Sequence, residues 1–184
     1  MNEKNKKILI SVFIAILMIT SIAGFIAFPQ TKTIDEKKFY KDLEFTREGD
    51  RWTTDANNQK ISVLINPEEI KEQDIKAKDL FSSQKIYISV NPKDNLGRIS
   101  QELNNLFNLL NKRIITSCYS DIPGCESLLI KTCKDATNLN KVIIIKIENN
   151  TNIKYNPNCL EINGDEKEIV NIIDYLIVSS IKNE

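Results

Sequence analysis

Apolar and polar residues follow three different rhythms along this chain. Ile8 to Phe28 is an uninterrupted run without a charge, broken only by Ser11, Thr20, Ser21 and Gly24. As a helix rising about 1.5 Å per residue it would reach about 30 Å, the thickness of a bilayer core. From residue 39 to 65 the rhythm changes to alternation. Leu43 and Phe45 stand between polar neighbours, Glu48-Gly49-Asp50 and Asn57-Asn58 offer tight turns, and Ile61, Val63 and Ile65 share one face. That pattern predicts a small antiparallel meander. Two stretches then show helical spacing. Leu96, Ile99, Leu103, Leu106, Phe107 and Leu110 predict a helix capped by Asp94 or Asn95, with Gln101, Glu102, Asn104 and Asn105 on its polar side. Ile169, Ile172, Ile173, Leu176, Ile177 and Ile181 predict a last helix opened by Asp165, with Glu168 as its capping-box partner.

Between these helices lie short β-rich segments. Lys85–Val90 and Arg113–Cys118 flank the first helix and predict a right-handed βαβ unit. Lys141–Glu148 is the most apolar segment and is expected at the centre of the sheet. Segments 152–155 and 159–162 predict a hairpin around Asn156-Pro157-Asn158. Asn66-Pro67-Glu68-Glu69 reads as the start of a short helix, with a further turn over 74–81. The expected fold is α+β: one N-terminal transmembrane helix, then a mixed sheet covered by two long helices. The boundaries expected are a cytoplasmic tip and anchor over 1–28, a connector over 29–38 and a single domain over 39–184.

Charge and flanks orient the apolar run. Lys4, Lys6 and Lys7 precede it, so the positive-inside rule keeps the N-terminus in the cytoplasm and places residues 29–184 outside. Ser21-Ile22-Ala23 also has the form of a signal-peptidase site, and cleavage after Ala23 is the alternative to retention. Retention is the preferred reading, because the run continues to Phe28. Equal numbers of basic and acidic residues, with no basic stripe, argue against nucleic acid as a partner. The expected partners are the bilayer and, beyond it, other envelope proteins.

Composition narrows the chemistry further. The chain has no histidine, which removes His-based triads and His-bearing metal sites together. Ser82/Lys85 and Ser179/Lys182 match a Ser-x-x-Lys pair without companion motifs, and Gly97 stands alone where a phosphate loop would need several glycines. No catalytic, cofactor-binding or metal-ligating residue is assigned, and no cofactor is expected. Trp52 reads as a hairpin residue packed on its sheet.

The four cysteines, Cys118, Cys125, Cys133 and Cys159, all fall on the side expected to be outside, where disulfides persist. Their spacings lack the close pairs of a zinc or redox centre. Four cysteines allow three pairings. Cys118–Cys125 with Cys133–Cys159 is preferred: the first closes a short loop through Pro123-Gly124, and the second ties the turn before the central strand to the hairpin behind it. Asn149-Asn150-Thr151 is a glycosylation sequon, which makes Asn149 a candidate for modification.

The segments EFTREGDRWTT, KIYISVNP, RIITSC, IKTCKDAT and KYNPNCLEING run through most of the exported part. In them the chain resembles a loose group of small uncharacterised archaeal single-span membrane proteins. That resemblance implies a membrane-anchored domain and carries no activity. The function expected is an envelope interaction or structural module. The alternatives are an extracytoplasmic hydrolase using carboxylates and a small-ligand or peptide-binding domain that uses a sheet edge. Two convergent buried acids in a deep pocket would mark the hydrolase.

Overall fold

The structure is a computed structural model that describes residues 13, 14, 17, 18 and 36–181. Phe13, Ile14, Leu17 and Met18 are helical with exposed side chains. The rest of the expected Ile8–Phe28 span, the connector as far as Asp35 and the position after Ala23 lie outside the described residues. Among the described residues no helix is long and apolar enough to cross a membrane.

The domain from Glu36 onwards is built from two sheets and three helices. The first sheet is a four-stranded antiparallel meander of β1 (Lys37–Tyr40), β2 (Leu43–Glu48), β3 (Arg51–Ala56) and β4 (Gln59–Val63), in sequence order. Its turns fall where alternation breaks. Gly49 (φ 64°), Asn57 (φ 51°) and Asn58 (φ 61°) adopt left-handed conformations, which glycine and asparagine reach at low cost. A 3₁₀ turn over Pro67–Glu69 follows, with the Asn66 side chain accepting from the Glu68 N–H, and then the short helix α1 (Ala77–Leu80).

The second sheet has six strands: β5 (Lys85–Ser89), β6 (Arg113–Cys118), β7 (Leu129–Ile130), β8 (Asn140–Ile147), β9 (Asn152–Asn156) and β10 (Cys159–Gly164). Their spatial order is β7-β6-β5-β8-β10-β9, parallel throughout except for the edge strand β9. Helix α2 (Gly97–Leu110) makes the crossover from β5 to β6, and α3 (Glu166–Ile181) follows β10. β5 and β8 lie at the centre, and their apolar composition follows from having both faces covered.

Two expectations need correction. The meander is not part of one mixed sheet covered by helices, for the meander strands form a sheet of their own. Ile86, Ile88, Ile143, Ile145, Leu160 and Ile162 of the large sheet share one core with Ile99, Leu106 and Phe107 of α2, with most of α3, and with Phe45, Trp52, Ile61 and Val63 of the meander. The helices therefore form a middle layer between two sheets. This explains why α3 is buried almost all round, Asn171 and Asp174 included. Secondly, α2 starts at Gly97 with Leu96 as its cap residue, and neither Asp94 nor Asn95 takes the cap position. Asn95 Oδ1 still accepts from the Gly97 N–H (3.3 Å), and the Glu166 carboxylate accepts from the Arg98 N–H (3.1 Å). A free N–H of one helix is thus satisfied by the first turn of the other. The Asp165 carboxylate caps α3 through the Glu168 N–H, but the Glu168 side chain turns to Lys71 rather than back towards its own helix.

Candidate functional site

Three places gather polar chemistry: the interface of the middle layer with the meander, the outer face of the large sheet, and the clefts of the surface.

The first is a line of polar contacts inside an otherwise apolar core. Arg51 of β3 reaches α2 and grips the fully buried Glu102 with both terminal nitrogens, at 2.6 and 2.7 Å. The same guanidinium donates from Nε to Ser62 Oγ (3.0 Å). One turn apart on α3, Asn171 and Asp174 take hold of the segment that leaves β4. Asn171 accepts from the Lys71 N–H and donates to the Glu69 carbonyl. Asp174 Oδ2 accepts from the Leu64 and Ile65 N–H groups at 2.9 and 2.8 Å. The backbone beyond β4 has no strand partner there, so these side chains supply the bonds that a ladder would otherwise give.

Asp174 Oδ1 is buried without a hydrogen-bond partner, and Glu102 is a charged neighbour of the same carboxyl. Burial, and after it the neighbouring Glu102, push the Asp174 carboxyl well above the usual carboxylate range, against the pull of the two backbone N–H donors. The shift favours a protonated Asp174 carboxyl. That leaves one net negative charge for Arg51 to neutralise.

Glu102 was expected on the polar side of its helix. It is instead sealed where Arg51 of the meander meets α2, while its polar neighbours Gln101 and Asn104 stay exposed. Both acids are closed off from solvent, with Glu102 and Asp174 fully buried. Among the described residues, neither acid lines the surface clefts of about 200 to 650 Å³ that open beside α2, β4, β5 and β6. With Oδ2 committed to two backbone donors and both Glu102 oxygens to Arg51, the pair works as a clamp between layers. It has no face open to a substrate or an attacking water.

The second place is the face of the large sheet turned away from the helices. Tyr87, Val142, Ile144 and Cys159 form a smaller core there with Ile115, Tyr119, Cys133 and Ala136. The irregular segment between β6 and β8 covers it, held by disulfides Cys118–Cys125 and Cys133–Cys159, and no cysteine is free. Cys118 ends β6 and Cys159 begins β10, so each bridge ties loop to sheet. Thr132 and Asp135 form a reciprocal cap beside Cys133, and the Thr132 N–H holds Asp135 below its ordinary carboxylate value. Ser89 Oγ donates to the Lys131 carbonyl (2.7 Å) and meets Ser117 Oγ at 2.8 Å, which fixes the same segment to β5 and β6. Further along, Lys146 pairs with Glu161 (2.6 Å) and lies over the Tyr119 ring. Burial, helped by Asp94, raises the Tyr119 hydroxyl above its ordinary value.

Other residues singled out in the sequence are placed as follows. Asn149, Asn150 and Thr151 occupy the exposed turn between β8 and β9. Ser82 and Ser179 donate to carbonyls one turn back, at Asp79 and Leu176, while Lys85 lies over the Tyr87 ring; Lys182 lies outside the described residues. Trp52 is buried, with the Arg47 guanidinium 5.5 Å from its ring centre. Among the described residues no group of three acidic or sulfur ligands is placed to hold a metal ion.

Comparison of the chain with protein-family models, curated proteins and solved structures finds no match. The two disulfides indicate an oxidising, extracytoplasmic setting.

Proposed function

We propose that this chain is a membrane-anchored module that presents its α+β domain outside the cytoplasmic membrane and acts through surface contacts. The observation that carries this reading is the fate of the buried acids. Glu102 and Asp174 are closed off from solvent and spent on holding the layers together, so they offer no reaction centre. The disulfides give the outside placement its support, the uncharged run Ile8–Phe28 gives the anchor its support, and the resemblance to small single-span membrane proteins agrees with both.

One feature favours peptide binding as a second reading. The edge strand β7 leaves Leu129 and Ile130 about half exposed, at 55% and 41%, beside an unpaired backbone edge. An extended segment could add there as a further strand. A photo-cross-linking residue placed in turn at Phe39, Leu129 and Leu139 of the full chain tests the contact reading. A discrete adduct in membranes from producing cells, preserved in Glu102→Gln, is the expected result. Absence of any adduct at all three exposed positions would contradict it.

A further inference from the structure

We infer that the cleft at the amino ends of the central strands binds a phosphate-bearing oxyanion through Lys85, Lys112 and Arg113. This cleft, about 650 Å³, opens between the end of α2, the start of β5 and the turn that leads into β8. Its volume lies in the range of small-ligand sites, about 300–1,000 Å³. Three cations line it and no carboxylate does.

Register makes the arrangement sharper than a loose surface cluster. Lys85 of β5 stands directly beside Arg113 of β6 on one side and Asn140 of β8 on the other. Adjacent strands are about 4.8 Å apart, and residues in register point to the same face. Two positive side chains therefore stand next to each other in the sheet, an arrangement that disfavours folding when nothing neutralises it. Lys112 follows the left-handed Asn111 (φ 50°) that ends α2, and it lines the same cleft.

Several cations elsewhere in the domain are neutralised by acids. Lys38 pairs with Glu68, Lys60 with Glu48, Lys71 with Glu168, Lys146 with Glu161 and Arg51 with Glu102. Among the described residues Lys85, Lys112 and Arg113 have no such partner, although the chain carries as many acids as bases. Lys85 lies over the Tyr87 ring, at 5.8 Å, and Lys131 lies over the same ring at 5.2 Å. Asn111, Asn138 and Asn140 add amide donors around the cations. An arginine fork with two ammonium groups and several amides suits a multiply charged oxyanion. The inference stands independently of which side of the membrane the domain occupies.

Calorimetric titration of the full chain in a neutral detergent tests it with two probes. Pyrophosphate represents a free phosphate compound, and glycerophosphoglycerol represents the headgroup of an anionic lipid. Saturable binding with a Kd below about 1 mM is expected for at least one of them. It should weaken at least about tenfold in Lys85→Gln/Arg113→Gln and weaken with added salt. Without ligand the double variant should melt no lower than the parent, since a repulsion has been removed. Tighter pyrophosphate binding identifies a soluble ligand; tighter glycerophosphoglycerol binding identifies the headgroup. If the double variant does not fold, Lys112→Gln carries the test with a severalfold loss. Binding of neither probe, or equal binding by parent and variants, overturns the site.

Discussion

Replacing Asp174 in two ways separates a protonated clamp from an ionised one. In the fold, Oδ2 accepts from the Leu64 and Ile65 N–H groups, while Oδ1 is buried without a partner. Asp174→Asn keeps an acceptor for both N–H groups and puts an NH₂ in place of the protonated oxygen. Its stability at pH 7 should stay within about 1 kcal/mol of the parent. Asp174→Ala strands two buried N–H donors, each at about 1–3 kcal/mol, and opens a small void. A loss of about 3–5 kcal/mol is therefore expected, and at about 2–4 °C per kcal/mol the melting temperature should fall by on the order of 10 °C. Scanning calorimetry or urea unfolding reads both values. The pH dependence gives a second check. A carboxyl raised in the folded state contributes stability that is full below its unfolded pKa and is lost as pH rises through the folded value. The parent should thus lose stability as pH climbs from about 4 towards that value, and Asp174→Asn should lack this falling limb. If Asn costs as much as Ala, the folded state needs an ionised Asp174 and the protonated carboxyl is refuted.

Other variants probe the remaining parts of the structure. Arg51→Met leaves Glu102 buried without its cation and should cost about 3–5 kcal/mol in urea unfolding, whereas Glu102→Gln paired with Arg51→Met should recover much of that loss. Removing Cys133–Cys159 as a double Ser variant should cost about 3.5 kcal/mol, against about 2.4 kcal/mol for Cys118–Cys125. The order follows the separations of 26 and 7 residues, and equal losses would show that loop entropy does not set it. Expression in a host that glycosylates secreted proteins should add mass at Asn149, and Asn149→Gln should abolish the shift on a gel.

Much of the large sheet was legible because its signals are local. Lys85–Ser89, Asn140–Ile147 and the hairpin around Pro157 show themselves through β-branched runs and turn residues, and Asp165 marks the start of α3. The layering was not legible. Nothing in the spacing of α2 says that Glu102 meets a second sheet while its polar neighbours Gln101 and Asn104 face water. A signal for the clamp did exist: Asp174 stands among Ile172, Ile173, Leu176 and Ile177, an acid inside a buried stripe. Such a residue must find donors, and Leu64 and Ile65, just past the end of a strand, have N–H groups to offer. The cleft was hidden for a related reason. Lys85, Arg113 and Asn140 are far apart in sequence and become neighbours only through parallel register.

The outside placement of the domain is the central claim, and surface labelling of intact cells producing the full chain tests it most directly. A membrane-impermeant amine reagent followed by peptide mapping should modify the exposed lysines Lys60, Lys71, Lys93 and Lys154 without lysis. Modification of these lysines only after the cells are broken would place the domain inside and contradict the account.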